Sequence, residues 1–309
     1  MEKFESIVVD VDATAAVHPE LDRAAILARR CGASLTIVDS MTAYAHDTHP
    51  RPADFDEDVV AGRRQELVRL ARRVPEIPTT SRLLVGSSAT VLIQEVLRSK
   101  HDLLVRSHAR DLTAASGHDG AVDEELVRKC PCPVLLVGPG RTPERPRIVG
   151  VVTAGKEDSP KQDPLGVKVV ELTLSMARLE GGAPMLLQTW EPFAEQMIRA
   201  NSLEDAFAAY VEAARCRLAA NLAELTQSLG DTVSDIRTIS RRGKPEDIIP
   251  EFTVREGIDL VVMAKPAGNG SIAGFFFGGA SLKFLKKLTC SLLAVKPDGF
   301  VSPVRVPAD

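Results

Sequence analysis

The chain has 309 residues, 44% of them hydrophobic and 26% charged, and a formal net charge of −4. This length equals about two average domains, and the apolar content fits a globular protein with two buried cores. The slight negative charge provides no cationic surface for nucleic acid or an anionic membrane, so we expect neither as a partner.

Signals of secretion and membrane insertion are also missing from the sequence. The start, MEKFESIVVDVD, has a short apolar stretch that Asp10 and Asp12 interrupt. No segment approaches the roughly 20 apolar residues of a membrane helix. Five cysteines, an odd number without CxxC spacing, favour a reducing compartment over a disulfide framework. We therefore predict a cytoplasmic protein without membrane insertion.

The first half of the chain alternates strand and helix signals. The strand SIVVDV begins at Ser6, a helix ends at Gly32, where a left-handed cap is expected, and the strand SLTIVDS follows. The remaining signals are an amphipathic segment over 54–74, the strand RLLVG, a helix over 89–98, the strand DLLV, a helix ending near Lys129 and the strand PVLLV. This alternation predicts a parallel sheet that helices cover on both faces.

The second half repeats the first. GSSATVLIQEVLRSKHDLLV begins at Gly86, and its counterpart GKPEDIIPEFTVREGIDLVV begins at Gly243. In each copy an aspartate stands sixteen positions after the glycine, Asp102 and Asp259. A long helix over 202–229 carries an apolar stripe that we interpret as core: Leu203, Phe207, Tyr210, Ala214, Leu218, Leu222 and Leu225. The repeat predicts two tandem copies of one fold.

A segment rich in proline and glycine separates the two copies. GPGRTPERPR, from Gly138, contains three prolines and two glycines and cannot continue a helix or a central strand. We predict one domain over 1–140, a linker over 141–146 and a second domain with a C-terminal tail over 147–309. We expect the two domains to pack as an internal pseudo-dimer.

Several short motifs resemble one known family. RKCPCPVLLVGPG and GASLTIV in the first copy, and IDLVVMA and KPDGFVSPV in the second, are similar to the domains of tandem, E-type universal stress proteins. The resemblance covers nearly the whole chain. It implies an α/β fold of two tandem doubly wound domains, each with a five-stranded parallel sheet of the adenine-nucleotide alpha-hydrolase type. In the family such domains often pair through their last strands.

The family also divides into members that bind ATP and members that do not. The binders have an aspartate at the end of the first strand and a G-x-x-G-x9-G-[S/T] loop, whose backbone amides can hold phosphate. In the first copy Asp12 holds the aspartate position. Arg106 and Ala109 stand where the first two glycines belong, Gly120 remains, and Ala121 replaces the hydroxyl residue. We therefore expect no nucleotide site in the first copy.

In the second copy the departures from this pattern are different ones. Thr153 replaces the aspartate and Lys265 replaces the first glycine, whereas Gly268 and Gly278 keep their spacing. The candidate nucleotide-loop residues are Thr153, Gly268, Gly270, Gly278, Gly279 and Ser281. Such a glycine-rich stretch before a helix can form an anion-binding nest, or it is a flexible or tightly packed loop. We assign no cofactor from the sequence and keep ATP as an alternative.

Three consecutive phenylalanines, Phe275, Phe276 and Phe277, lie within the same stretch. They cannot all face one core, so at least one is expected to line a pocket or an interface. Burial against the neighbouring domain is the simpler alternative. With Asp12, they are our candidate ligand or interface residues.

Catalytic and metal-binding patterns are absent from the sequence. There is no G-x-S-x-G, HExxH or G-x-x-x-x-G-K-[S/T] motif, so we predict no catalytic residue. The histidines and cysteines lack paired ligand spacing, so we predict no metal site. The arginines of the second helix, including Arg63, are interpreted as a solvated face.

Together these observations predict a non-enzymatic, cytoplasmic stress-response protein that binds a partner or a ligand of apolar or amphipathic character. Two alternatives stay open: an ATP-binding switch with weak ATPase activity that uses the second copy, and a protein-binding scaffold. The sequence leaves open whether the protein forms a homo-oligomer.

Overall fold

The computed structural model describes residues 3–41, 55–108, 119–139, 143–153, 164–192, 195–201, 203–229, 236–264, 285 and 287–307. The first half contains β1 (Ser6–Asp10), α1 (Pro19–Cys31), β2 (Ser34–Met41), α2 (Phe55–Ala71), β3 (Thr79–Val85), α3 (Ser88–Ser99), β4 (Leu103–Ser107), α4 (Asp119–Lys129) and β5 (Val134–Val137). The second half contains β6 (Arg147–Thr153), α5 (Pro164–Glu180), β7 (Ala183–Trp190), α6 (Glu195–Asn201), α7 (Glu204–Ser228), β8 (Arg237–Arg242), α8 (Pro245–Glu256), β9 (Leu260–Ala264) and β10 (Ser291–Val295).

All ten strands form one sheet, in the order β3-β2-β1-β4-β5-β10-β9-β6-β7-β8. Neighbouring strands within each half are parallel, whereas β5 and β10 pair antiparallel, with Leu135 opposite Leu293. Each half therefore has the same strand order, and the last strands of the two halves meet at the centre. The predicted α/β fold of two doubly wound, five-stranded halves is confirmed, as is the pairing of their last strands.

The central strands are apolar on both sides because helices cover both faces of the sheet. In β1, Ile7 and Val9 join one core cluster and Val8 joins the other. Helices α1, α2, α5 and α7 pack on the first face, and α3, α4 and α8 pack on the second. Both clusters contain residues of both halves, so each face has one continuous core across the β5–β10 junction.

The repeated glycines and aspartates have matching structural roles. Gly86 and Gly243 precede α3 and α8 and have φ angles of 145° and 138°. Residues other than glycine rarely adopt this backbone conformation. The carboxylate of Asp102 accepts hydrogen bonds from the backbone N–H groups of Glu5 and Ser6, and Asp259 accepts one from Arg147. Each aspartate thus fixes the start of the first strand of its half to the start of the fourth strand.

The apolar stripe of the long helix is only partly core. Leu222 and Leu225 are buried, but Leu203 just before the helix is 83% exposed, and Phe207 and Leu218 are half-buried. Only the last turns of α7 reach the sheet, so our interpretation of the whole stripe as core was wrong for its first part. Among the helices of the described ranges, none combines the length and apolar character needed to cross a membrane.

Candidate functional site

A doubly wound sheet has a crevice beyond the carboxyl ends of its strands, where the strand order reverses. In this protein that point lies between β1 and β4 in the first half and between β6 and β9 in the second. Asp10 and Arg106 are register partners across β1 and β4. Val151 and Met263 are register partners across β6 and β9.

These two pairs occupy corresponding positions in the repeat. Asp10 and Arg106 stand four positions after Ser6 and Asp102, which are hydrogen-bonded to each other. Val151 and Met263 likewise stand four positions after Arg147 and Asp259, which make the same hydrogen bond. An oppositely charged pair in the first half is therefore replaced by an apolar pair in the second.

Buried ion pairs fill the crevice of the first half. The guanidinium of Arg106 contacts Asp10 through Nη1 and donates from Nε to Oδ1 of Asp123 in α4 at 3.0 Å. Nδ1 of His108 lies 2.8 Å from Oδ2 of Asp123, and its Nε2 lies 3.0 Å from the carbonyl oxygen of Leu285. Both ring nitrogens of His108 thus lie within hydrogen-bond distance of an acceptor oxygen. Arg106, His108, Asp10 and Asp123 thus meet in this crevice, where Oδ1 of Asp10 has no hydrogen-bond partner within the described part of the chain.

Burial makes Asp10 an unusual member of this network. Desolvation raises the pKa of Asp10 from 3.8 to about 6, whereas the charge of Arg106 and a hydrogen bond from the Ser40 hydroxyl lower it. Ser40 lies near the end of β2, two positions after Val38, the register partner of Asp10. In the first half the hydroxyl at this position therefore has a carboxylate to bind.

The corresponding hydroxyl of the second half has no such partner. Thr189 lies two positions after Leu187, the register partner of Val151, and so corresponds to Ser40. Val151, Met263 and Thr189 are all buried. The Oγ1 atom of Thr189 has no hydrogen-bond partner within the described part of the chain. Leaving a buried hydroxyl unpaired costs about 1–3 kcal/mol, which favours an acceptor supplied by a bound molecule.

Asp12 lies just beyond β1 and its side chain is exposed. Its Oδ1 accepts hydrogen bonds from the backbone N–H of Thr14 at 2.9 Å and from the Thr14 hydroxyl at 2.6 Å. Nη1 of Arg63 is 3.9 Å from the same oxygen and donates to Oδ2 of the buried Asp39 at 2.6 Å. The structure thus gives Asp12 the role of ordering its own turn beside an Arg63–Asp39 pair.

Arg63 is a residue whose role the sequence interpretation missed. Its side chain is 20% exposed and binds the carboxylate of Asp39, so it does not belong to a solvated face. Burial raises the pKa of Asp39, and the contact with Arg63 lowers it. Arg69 of the same helix does lie in solvent, where it pairs with Glu66. Only the long-range partner Asp39 distinguishes these two arginines, and helix periodicity does not contain that information.

Most of the predicted second-half site lies outside the described residues. Thr153 ends β6 and is the backbone register partner of Thr189, so it stands at the carboxyl edge of the crevice. The predicted residues outside the described ranges are Gly268, Gly270, Gly278, Gly279, Ser281, Phe275, Phe276 and Phe277. Of the histidines considered for a metal, the described His108 belongs to the ion network. Within the described ranges, no group of three or more His, Cys, Asp or Glu side chains is arranged to hold a metal ion.

A cavity of about 450 Å³ lies at the opposite, amino-terminal edge of the strands. Phe4, Val96 and Pro131 provide part of its apolar wall, and Lys168 reaches it from α5 of the second half. Cys132, two positions before β5, also lines this cavity. The cavity therefore lies where the two halves meet, away from the crevices at the carboxyl edge.

Comparisons with known proteins agree with this architecture. A family model described as the universal stress protein family matches residues 3–138 and 161–296. Universal stress protein E of Salmonella typhi is 26% identical over 317 residues, with 99% of this chain and 98% of the relative covered. Universal stress protein E of Escherichia coli (strain K12) is 28% identical, with 70% of this chain and 67% of the relative covered.

Solved structures show the same fold. A functionally unknown protein from Pseudomonas aeruginosa PAO1 has a TM-score of 0.65 at 21% identity, covering 96% of this chain and 93% of its own. A universal stress protein from Archaeoglobus fulgidus DSM 4304 has a TM-score of 0.64 at 11% identity, covering 94% of this chain and 96% of its own. Because the family model matches both halves and most of the sequence, the chain belongs to the universal stress protein family, as a tandem member similar to the E-type proteins.

Proposed function

We propose that this is a cytoplasmic stress-response protein whose second half binds a small ligand with an apolar body and a hydrogen-bond acceptor. Membership of the universal stress protein family supports the stress-response role. The relatives are named as stress proteins and not as enzymes, which supports a binding role. The two halves then have different tasks: the first contributes a charged crevice, and the second contributes the binding site.

The buried hydroxyl of Thr189 is the observation that carries this proposal. In the first half the Ser40 hydroxyl lies beside the Asp10 carboxylate and lowers its pKa, whereas Val151 offers no acceptor at the corresponding position. Met263 and Val151 make the crevice apolar. A ligand that places an acceptor near Thr189 and an apolar surface against these two side chains would satisfy the hydroxyl and bury apolar area.

ATP is the alternative ligand, because adenine also combines apolar faces with acceptor nitrogens. This alternative rests on Gly268 and Gly278, which come after β9 in the sequence and lie outside the described residues. The phenylalanines 275–277 of the same stretch are proposed to add to the apolar wall. A scaffold that binds only other proteins is the remaining alternative, and it needs no acceptor near Thr189.

Native mass spectrometry of gently purified full-length protein tests the proposal. We expect an adduct of defined mass on the wild type and on Ser40→Ala, the matched change in the first half. Thr189→Val removes the unpaired hydroxyl at similar volume, and we expect about 3- to 10-fold weaker adduct binding because one hydrogen bond is lost.

The outcomes separate the three functions. An adduct with the mass of ATP would establish the nucleotide alternative. An adduct that Thr189→Val leaves unchanged, or that Ser40→Ala removes equally, would contradict a site in the second-half crevice. A protein free of adducts in repeated preparations would leave the scaffold as the better hypothesis.

A further inference from the structure

Two cysteine side chains meet between α4 and β5. Cys130 follows the last turn of α4, where its backbone N–H donates to the carbonyl oxygen of Leu126, and Cys132 precedes β5. Pro131 between them has a fixed φ angle, which limits the backbone freedom of the pair. The two Sγ atoms are 3.6 Å apart, and both thiols are free.

The cavity at the amino-terminal edge of the strands is lined by one of these two residues, Cys132. Cys132 is 7% exposed and lines the cavity, whereas Cys130 is fully buried behind it. Lys3 and Lys100 line the same cavity, so it is also open to small polar molecules. A small oxidant therefore has a route to Cys132 without unfolding of either half.

The surroundings also favour ionisation of the pair. The hydrogen bond from Cys132 is the largest influence that lowers the pKa of Cys130, and the ammonium of Lys296 adds to it against the effect of burial. The same contact raises the pKa of Cys132, because the thiol that keeps its proton stabilises its neighbour's thiolate. The first proton of the pair is therefore lost more readily from Cys130 than from Cys132.

We propose that Cys130 and Cys132 form a thiol pair that hydrogen peroxide oxidises to an intramolecular disulfide. In the first step the Cys130 thiolate takes the proton of the Cys132 thiol, and the Cys132 sulfur attacks one peroxide oxygen. The O–O bond breaks, and the departing hydroxide takes a proton to become water. In the second step the Cys130 sulfur attacks the resulting sulfenic acid, the S–O bond breaks and a second water leaves. Both sulfurs are oxidised, and one peroxide is reduced to two waters.

The two sulfurs are close enough for the disulfide to form with only small movements of the protein. A disulfide requires the sulfurs to approach to about 2.0 Å, which needs a displacement of roughly 1.5 Å from their present contact. Rotation of the two side chains is the main movement required. The sheet can therefore stay intact, and the proposal is independent of ligand binding in the second half.

The second half contains a natural control. Cys290 stands before β10 as Cys132 stands before β5, but Leu288 occupies the position that corresponds to Cys130. Burial raises the pKa of Cys290 to about 12. Cys216 is exposed on α7, and its sulfur contacts Glu212. Among the described residues, neither Cys290 nor Cys216 has a second sulfur beside it, as Cys130 and Cys132 do. Cys290 is therefore a control for a buried single cysteine, and Cys216 is a control for an exposed one.

Mass spectrometry of the full-length protein tests the proposal without any substitution. The protein is treated with stoichiometric hydrogen peroxide, unfolded in iodoacetamide and cleaved with trypsin. We expect the tryptic peptide 130–141, which contains only these two cysteines, to be unalkylated and lighter by two hydrogens. Dithiothreitol should restore double alkylation. We expect the peptide that contains Cys290 to stay alkylated throughout.

Variants give a second, independent result. Cys132→Ser should abolish the light peptide, whereas Cys216→Ser should leave its yield unchanged. Double alkylation of peptide 130–141 after peroxide treatment that oxidises Cys216 would overturn the proposal. Oxidation of Cys130 or Cys132 only to sulfinic or sulfonic acid, which dithiothreitol does not reverse, would also overturn it.

Discussion

Arg23 in α1 and Glu180 at the end of α5 form a buried, bidentate ion pair between the two halves of the chain. Nε donates to Oε1 at 2.9 Å and Nη2 donates to Oε2 at 2.8 Å. Nη1 of Arg23 also donates to Oγ of Ser291 in β10, and this oxygen accepts the backbone N–H of Gly138 as well. The helices and the central strands are thus connected by one set of charge-assisted hydrogen bonds.

The first prediction concerns the stability of this junction. Arg23→Ala leaves the Glu180 carboxylate buried without its partner, so we expect a loss of about 3–5 kcal/mol in the free energy of unfolding in urea. The double change Arg23→Met with Glu180→Leu removes both charges and should recover most of that loss. Arg69→Ala, at the exposed pair with Glu66, should leave the urea midpoint unchanged. A double variant as unstable as the single one would contradict this account of the pair.

The second prediction concerns the proposed domain boundary. A fragment over 1–140 exposes β5, whose residues Val134, Leu135 and Leu136 pair with β10 in the whole chain. An unpaired apolar edge strand associates readily with other chains. We expect this fragment to dimerise or aggregate when its mass is measured by light scattering after gel filtration. A stable, soluble monomer would count against the need for the β5–β10 pairing.

Sequence reasoning reached the fold because the signals it used are local and repeated. Gly86 and Gly243 require a special backbone conformation, and Asp102 and Asp259 cap strand starts, so each has the same task in both copies. The sequence showed only that Arg106 stands at a position where the nucleotide-binding loop of the family has a glycine. That it binds both Asp10 and Asp123 depends on which strands become neighbours.

The same limit explains the other differences between expectation and structure. Helix periodicity places Arg63 with other surface arginines, but in the folded chain Arg63 binds Asp39 of β2. Periodicity also gives α7 one apolar stripe, although the sheet ends before the helix does, so Leu222 is buried and Leu203 is exposed. Which part of a periodic face meets a partner is set by tertiary packing.

The third prediction concerns pH and the buried Glu95. The imidazole of His101, 3.6 Å away, is the largest influence that lowers the pKa of this carboxyl to about 2, with Ser99 and Arg82 acting in the same direction against burial. Because the folded pKa lies below the ordinary value of 4.5, the carboxylate stabilises the fold above pH 4.5 and this contribution is lost as pH falls towards 2.

Glu95→Gln should therefore destabilise the protein at pH 7 and matter less at low pH. We expect Glu95→Gln to lower the free energy of unfolding by about 1–2 kcal/mol at pH 7, a modest loss because solvent screens the exposed Arg82 partner. The difference in free energy between the variant and the wild type should become smaller below pH 4.5. Urea unfolding at several pH values measures it. Glu5→Gln, a change at an exposed carboxylate, is the control and should leave the profile as it is. A Glu95→Gln deficit that is equal at all pH values would assign the effect to packing.

The last prediction separates an apolar ligand from ATP. The unmodified protein should bind ATP weakly or not at all, because Thr153 stands where ATP-binding relatives have an aspartate and Gly279 stands where they have a hydroxyl residue. Thr153→Asp combined with Gly279→Ser restores both features in the half whose crevice has no ion pair at the Val151 and Met263 positions. Calorimetry should show new or stronger ATP binding in this double variant.

Asp12→Thr is the matched change in the first half. It should leave ATP binding unchanged, because Arg106, bound to Asp10 and Asp123, stands in that crevice where the loop of the ATP binders has a glycine. A dissociation constant near 1 μM for the unmodified protein, equal to about −8 kcal/mol, would overturn the ranking of ligands. No gain in the double variant would show that neither the aspartate nor the hydroxyl limits binding, and would leave the apolar character of the crevice as the reason that nucleotide is excluded.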